Sequence, residues 1–194
     1  DQTVSGACSG SCDGVQATLA NMPALTFNAQ NGLPCAAGGA AAGLVLRTAG
    51  VLAQAQPWSF TAVGERTGNF TTAQRLLVGG ATTPQIGWTT GANTMGFSAG
   101  TQVTLTAADS AFHAAVAIAG GSPLFAIDSS ANTTTSASGA GTLVSNVSIE
   151  NNGSGSNPLK AGFVCEAGIW PADLNLSYQA MLANMRSATN GWNF

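Results

Sequence analysis

Residues 109–128 constrain the fold of this chain more than any other stretch. Phe112, Ala114, Val116 and Ile118 alternate with His113, Ala115, Ala117 and Ala119, the period-two pattern of a strand with one face on a core. Gly120, Gly121, Ser122 and Pro123 supply a tight turn, and Leu124, Phe125 and Ile127 resume the apolar run up to Asp128. The spacing predicts a β-hairpin of two half-buried strands. The same alternation recurs elsewhere: Trp58, Phe60 and Ala62 against Ser59, Thr61 and Val63; Leu76 and Val78 against Arg75, Leu77 and Gly79; Val103 and Leu105 against Gln102, Thr104 and Thr106. Short strands punctuated by Gly, Asn, Thr and Pro predict an all-β sandwich.

One segment departs from that pattern. Tyr178, Met181, Leu182 and Met185 fall at i, i+3, i+4 and i+7, with Ser177 or Asn175 placed to cap the start and Asn190 and Gly191 to stop the run. A single short helix over about 177–187 follows.

Only 7% of the 194 residues are charged, against roughly a quarter in an ordinary soluble domain. The surface must therefore be coated with Thr, Ser, Asn, Gln, Ala and Gly, a composition suited to extracellular β-proteins, fibres or assembled particles. A net charge of −3 with one His offers no basic stripe for nucleic acid and no basic face for a membrane. No apolar run reaches the roughly 18 residues of a membrane span. The expected organisation is a Gly/Ser-rich segment over 1–23 and one sandwich domain over 24–194.

The hairpin resembles the laminin-G-like members of the concanavalin A-like lectin/glucanase superfamily, which carry an aromatic-His pair, an apolar strand, a Gly-containing turn and a second strand ending in Asp. The stretch from Ala161 to Pro171, with Glu166, Ile169 and Trp170 leading toward the helix, resembles the family's final strand. Asp1, Gln2 and Thr3 are similar to the start of arabinofuranosidase B-like sandwiches, which implies that sequence upstream of Asp1 has been removed. The resemblance covers roughly Leu25 to Phe194. It implies a jelly roll of two antiparallel sheets with one C-terminal helix, of a kind found in bacteriophage and bacterial surface proteins. Its members bind sugars, bind proteins or hydrolyse glycans, so fold alone does not choose among them.

Four cysteines allow three pairings. The flexible surroundings of Cys8 and Cys12 permit a local bridge. In sandwiches of this type the first and last strands pair, which implies that the segment after Phe27 lies beside Phe163 to Cys165 and that Cys35 joins Cys165. Four reduced thiols are the alternative, with Cys165 a small core hydrophobe.

Candidate ligand residues lie in the Asn-rich loop, where Glu150, Asn151, Asn152 and Asn157 present oxygens to sugar hydroxyls or to a calcium ion. A solvated turn is the simpler reading of that loop. Trp88 is either core or an exposed sugar platform. Glycoside hydrolysis needs two facing carboxylates; Asp109, Asp128 and Glu166 have structural places in the family pattern, and Glu150 is left without a partner. A Ser/His/Asp arrangement built on His113 and Asp128 competes with a structural role for His113 in the hairpin. No catalytic residue is assigned. The expected function is a noncatalytic, lectin-like surface or virion module for adhesion or glycan recognition, partnered by glycan, other subunits or copies of itself. A purely structural phage or fibre protein and an arabinofuranosidase B-like hydrolase are the alternatives.

Overall fold

The computed structural model describes residues 8–9, 14–15, 22–39, 46–48, 51–68, 71–79, 84–120, 122–139, 143–145, 147–149, 159–189 and 191–194. In chain order the strands are β1 (Cys8–Ser9), β2 (Gly14–Val15), β3 (Ala24–Gln30), β4 (Leu33–Ala37), β5 (Leu46–Thr48), β6 (Val51–Gln54), β7 (Trp58–Arg66), β8 (Gln74–Gly79) and β9 (Gln85–Trp88). They continue as β10 (Thr94–Ser98), β11 (Gln102–Thr106), β12 (Phe112–Ala119), β13 (Leu124–Ile127), β14 (Ser129–Thr134), β15 (Leu143–Ser145), β16 (Val147–Ile149) and β17 (Gly162–Trp170), followed by α1 (Tyr178–Arg186).

Two seven-stranded antiparallel sheets carry the fold, in the orders β11-β10-β9-β8-β16-β5-β2 and β14-β13-β12-β7-β17-β4-β3. A three-stranded sheet, β1-β6-β15, accompanies them. Strands β1 and β2, from the segment expected to precede the sandwich, pair with β6 and β5. The predicted hairpin forms as β12 and β13, with Ala115 opposite Ile127 and Ile118 opposite Leu124.

Between the large sheets lies an aromatic core. Trp58 and Phe60 from β7, Trp88 from β9, Phe97 from β10 and Phe125 from β13 are buried together with Leu76, Leu77, Ile86 and Met95. Ala115, Ala117 and Ala119 of β12 face this layer, and their small side chains leave room for the rings across from them. The larger residues of β12 point the other way. Ala114, Val116 and Ile118, with Phe112 packed beside them, meet Leu182 and Met185 of α1 and Trp192 on the outer face. The expectation of a half-buried strand is thus corrected: β12 is buried on both faces, because the C-terminal helix covers the larger apolar side while the alanine side that alternation left to solvent lies against the inter-sheet core.

Helix α1 starts at the predicted place, with Ser177 at the N-cap, but the Ser177 hydroxyl makes no capping bond. The Ser177 and Tyr178 amides instead share the Leu174 carbonyl. After the helix the chain doubles back, so that the Trp192 amide donates to Met185 O at 2.7 Å. Gly191 is required at that turn, since a Cβ would collide with the Asn184 carbonyl.

Cys35 and Cys165 form a disulfide that joins β4 to β17 across 130 residues of sequence. Phe163 pairs with Ala37 and Val164 with Ala36, as the resemblance implied for the first and last strands. Such a bridge places the chain among proteins that mature in an oxidising, extracellular-type compartment. The expected bridge between Cys8 and Cys12 rests on side chains outside the described residues. Among the described residues no helix is long and apolar enough to cross a membrane.

Candidate functional site

The structure corrects one candidate directly. Trp88 is fully buried between the sheets, opposite Met95 in the ladder, and the Arg66 guanidinium lies 5.7 Å from its ring centroid. Its position on β9 turns it inward, so it presents no platform to a sugar. Glu150, Asn151, Asn152 and Asn157, and with them the calcium position expected near Glu150, lie outside the described residues. No group of three or more His, Cys, Asp or Glu side chains among the described residues has the arrangement of a metal site.

The acids that are described hold the scaffold. Arg66, with no exposed side-chain surface, donates from Nε to Asp109 Oδ1 at 2.9 Å and from its terminal nitrogens to Thr89 O and Gly91 O. Asp109 in turn accepts from the Asn93 amide at 2.8 Å, while its own amide donates to Asn93 Oδ1. One buried ion pair therefore fixes the end of β7 to the β9–β10 turn and to the approach to β12.

His113 and Asp128 make a second structural node. Asp128, at φ +62°, accepts from His113 Nδ1 at 2.6 Å through one carboxylate oxygen and from the Ala114 amide through the other. His113 Nε2 lies 2.7 Å from Ala108 O. A carbonyl can only accept, so Nε2 carries a proton; the carboxylate favours a proton on Nδ1 as well, and the ring is held as an imidazolium. Burial, the largest single influence, pushes the His113 pKa down, but the Asp128 hydrogen bond and charge and the Ala108 bond together outweigh it and the push from Arg186, and raise it above 6.5. The triad reading fails on this geometry, because the nitrogen that would serve a hydroxyl nucleophile already donates to a backbone carbonyl. Arg186 closes the node from α1, donating from Nη1 to Asp128 O at 2.7 Å and from Nε to Phe194 O.

On β17 the register places Ala167 and Ile169 against the inter-sheet core and Glu166, Gly168 and Trp170 on the outer face, opposite Val63, Thr61 and Ser59 of β7. Glu166 Oε2 accepts from Trp192 Nε1 at 2.9 Å. Trp170 is the residue that sequence reading missed. Trp58, Trp88 and Trp192 are buried, whereas Trp170 is 41% exposed. Its Nε1 donates to Thr61 Oγ1 at 3.1 Å, and this edge of the ring lies beside Gly168, where a Cβ would stand 3.1 Å from Nε1. The signal was in the alternation: apolar Ala167 and Ile169 claim the inner face, which turns Trp170 outward.

No family model matches the chain, and no curated protein matches it. Solved structures do. Trypanosoma rangeli sialidase in complex with a difluoro-KDN compound aligns at TM-score 0.52 and 12% identity, covering 77% of this chain and 27% of that one. The same sialidase in complex with sialic acid aligns at TM-score 0.52 and 10% identity, over 91% and 33%. The fold they share with this chain is a sandwich of antiparallel sheets. Mouse laminin α1 chain domains LG4-5 also align, at TM-score 0.42 and 14% identity, over 71% of this chain and 42% of that one. The chain spans about a quarter to a third of the length of the sialidases, and the likeness is one of fold.

Proposed function

We propose that the chain is a noncatalytic recognition module that binds glycan or another surface polymer within an extracellular or particle-surface assembly. The observation that supports this reading is where its few charges are used. Arg66 with Asp109, His113 with Asp128 and Arg186, and Glu166 with Trp192 are engaged within the scaffold. With those charges engaged, the hydroxyls and amides that dominate the composition are suited to neutral hydroxylated partners. Hydrolysis is the enzymatic alternative, and it turns on Glu150. A glycan array probed with the purified chain tests recognition: selective retention of glycans supports it, and an array without retained glycan contradicts it.

A second reading, that of an assembly subunit, is favoured by the β3–β4 hairpin. Met22, Leu25, Phe27 and Leu33 are exposed there, Phe27 at 73%, and no residue over 22–37 is charged. Strand β3 is also a sheet edge, unprotected by the charges or prolines that usually block edge pairing. The occupant proposed is a second copy of this chain, paired edge to edge. A dimer or larger species in solution that Phe27→Lys dissociates supports this reading, and a monomer at every concentration removes it.

A further inference from the structure

Resting on the recognition reading, we infer that Trp170 is a stacking platform for one ring of a neutral sugar, on the outer face of β17. The ring is fixed from two directions: Thr61 Oγ1 satisfies its only polar atom, and the absent side chain of Gly168 lets it lie against the sheet. An added Cβ at Gly168 would stand 2.5 Å from Thr61 Oγ1 as well as 3.1 Å from the indole nitrogen, so platform and glycine come as a unit. With its N–H satisfied, the exposed part of the indole is apolar and held in one orientation, with little ordering left to be lost on binding.

The electron-rich face of such a ring attracts the weakly positive C–H groups on the flat side of a pyranose. The paired outer-face neighbours Ser59, Thr61 and Gly168 are uncharged, Glu166 on the same face is held by Trp192 Nε1, and a lone exposed cation–π contact is worth only about 0.5–1 kcal/mol. A neutral ring fits better than a Lys or Arg of a protein partner. One platform binds weakly; copies arrayed on a surface would gain by avidity, as an adhesive module requires.

The test follows the four indole Nε1–H resonances by NMR while cellohexaose, mannohexaose and the neutral glycans retained on the array are added, with hyaluronan hexasaccharide and a Lys/Arg-rich peptide as contrasts. The inference predicts that a neutral glycan shifts the Trp170 resonance selectively. It further predicts that Trp170→Ala weakens binding at least tenfold and that Gly168→Ala, which displaces the ring without removing it, weakens it several-fold in a protein that keeps its near-ultraviolet dichroism. Neutral glycan binding that survives Trp170→Ala would overturn the platform and leave recognition standing elsewhere. If no neutral glycan binds, the platform falls, and recognition falls with it only when the array retains no glycan of any kind. A Trp170 shift produced only by the peptide or the acidic hexasaccharide would overturn the sugar assignment.

Discussion

Arg66 and His113 show how a chain with few charges uses them. Removing the Asp109 carboxylate takes away the carboxylate that faces the buried Arg66 guanidinium, and breaking a buried ion pair in this way costs about 3–5 kcal/mol. Asp109→Ala is therefore expected to lower the free energy of unfolding by that amount in urea, whereas an exposed-acid variant such as Asp173→Ala should change it by less than about 0.5 kcal/mol. For His113 the sign runs from its raised pKa: the folded state holds the proton more tightly than the unfolded chain. The stabilisation is complete below about pH 6.5 and is lost as pH rises through the folded value. Glu65, raised above 4.5 chiefly by burial, feels the His113 charge and acts on the acid side of this window. The urea midpoint should fall between pH 6 and pH 9, and His113→Gln should flatten that fall; a midpoint that rises with pH would show the sign to be wrong. Both nodes were visible in the sequence as turn-bounding acids beside a strand. The partner of Asp109 was not, since nothing in local spacing connects it to Arg66, 43 residues away.

At the scale of elements, alternation identified β7, β8, β11, β12 and β13, and the i, i+3, i+4, i+7 spacing identified α1, because each has one dominant period; β17 came from the family resemblance rather than from its period. It failed where a second layer or a phase shift intervened. Alternation in β12 allots one face to a core, yet the alanine face meets the opposite sheet and the Ala114, Val116 and Ile118 face meets α1, a two-sided burial that strand periodicity does not encode. In β8 a register shift between Arg75 and Leu77 turns both Leu76 and Leu77 toward the core, and an apolar pair inside a short strand fits either phase. Trp88 was left open between core and platform, and Trp170 was given no side, for a related reason. A tryptophan at the end of a strand is assigned inward or outward only by its neighbours, and Gly87 beside Trp88 gave no direction. The join between β4 and β17 is the element contact easiest to break chemically. Replacing Cys35 and Cys165 together by Ala should cost about 2–4 kcal/mol, as expected for releasing a long loop. Equilibrium unfolding of the double variant checks this, and an unchanged midpoint would show that the strand ladder alone holds the chain ends.

For the molecule as a whole, composition was the surest guide. A charge content of 7% leaves a neutral polar exterior, and the fold places that exterior around an aromatic core with α1 packed on one sheet. Function was less legible. The Asn-rich loop was chosen for its oxygen-bearing side chains, a choice that chemistry permits but that spacing does not enforce. The platform on β17 depends on Thr61, 109 residues away, which no local pattern announces. The central claim, recognition without turnover, is tested most directly by one calorimetric titration of the purified chain with a glycan retained on the array, with reducing ends assayed in the same cell. The account predicts saturable binding and, with or without Glu150→Gln, no release of reducing sugar. Reducing sugar released in proportion to protein, and abolished by Glu150→Gln, would contradict it.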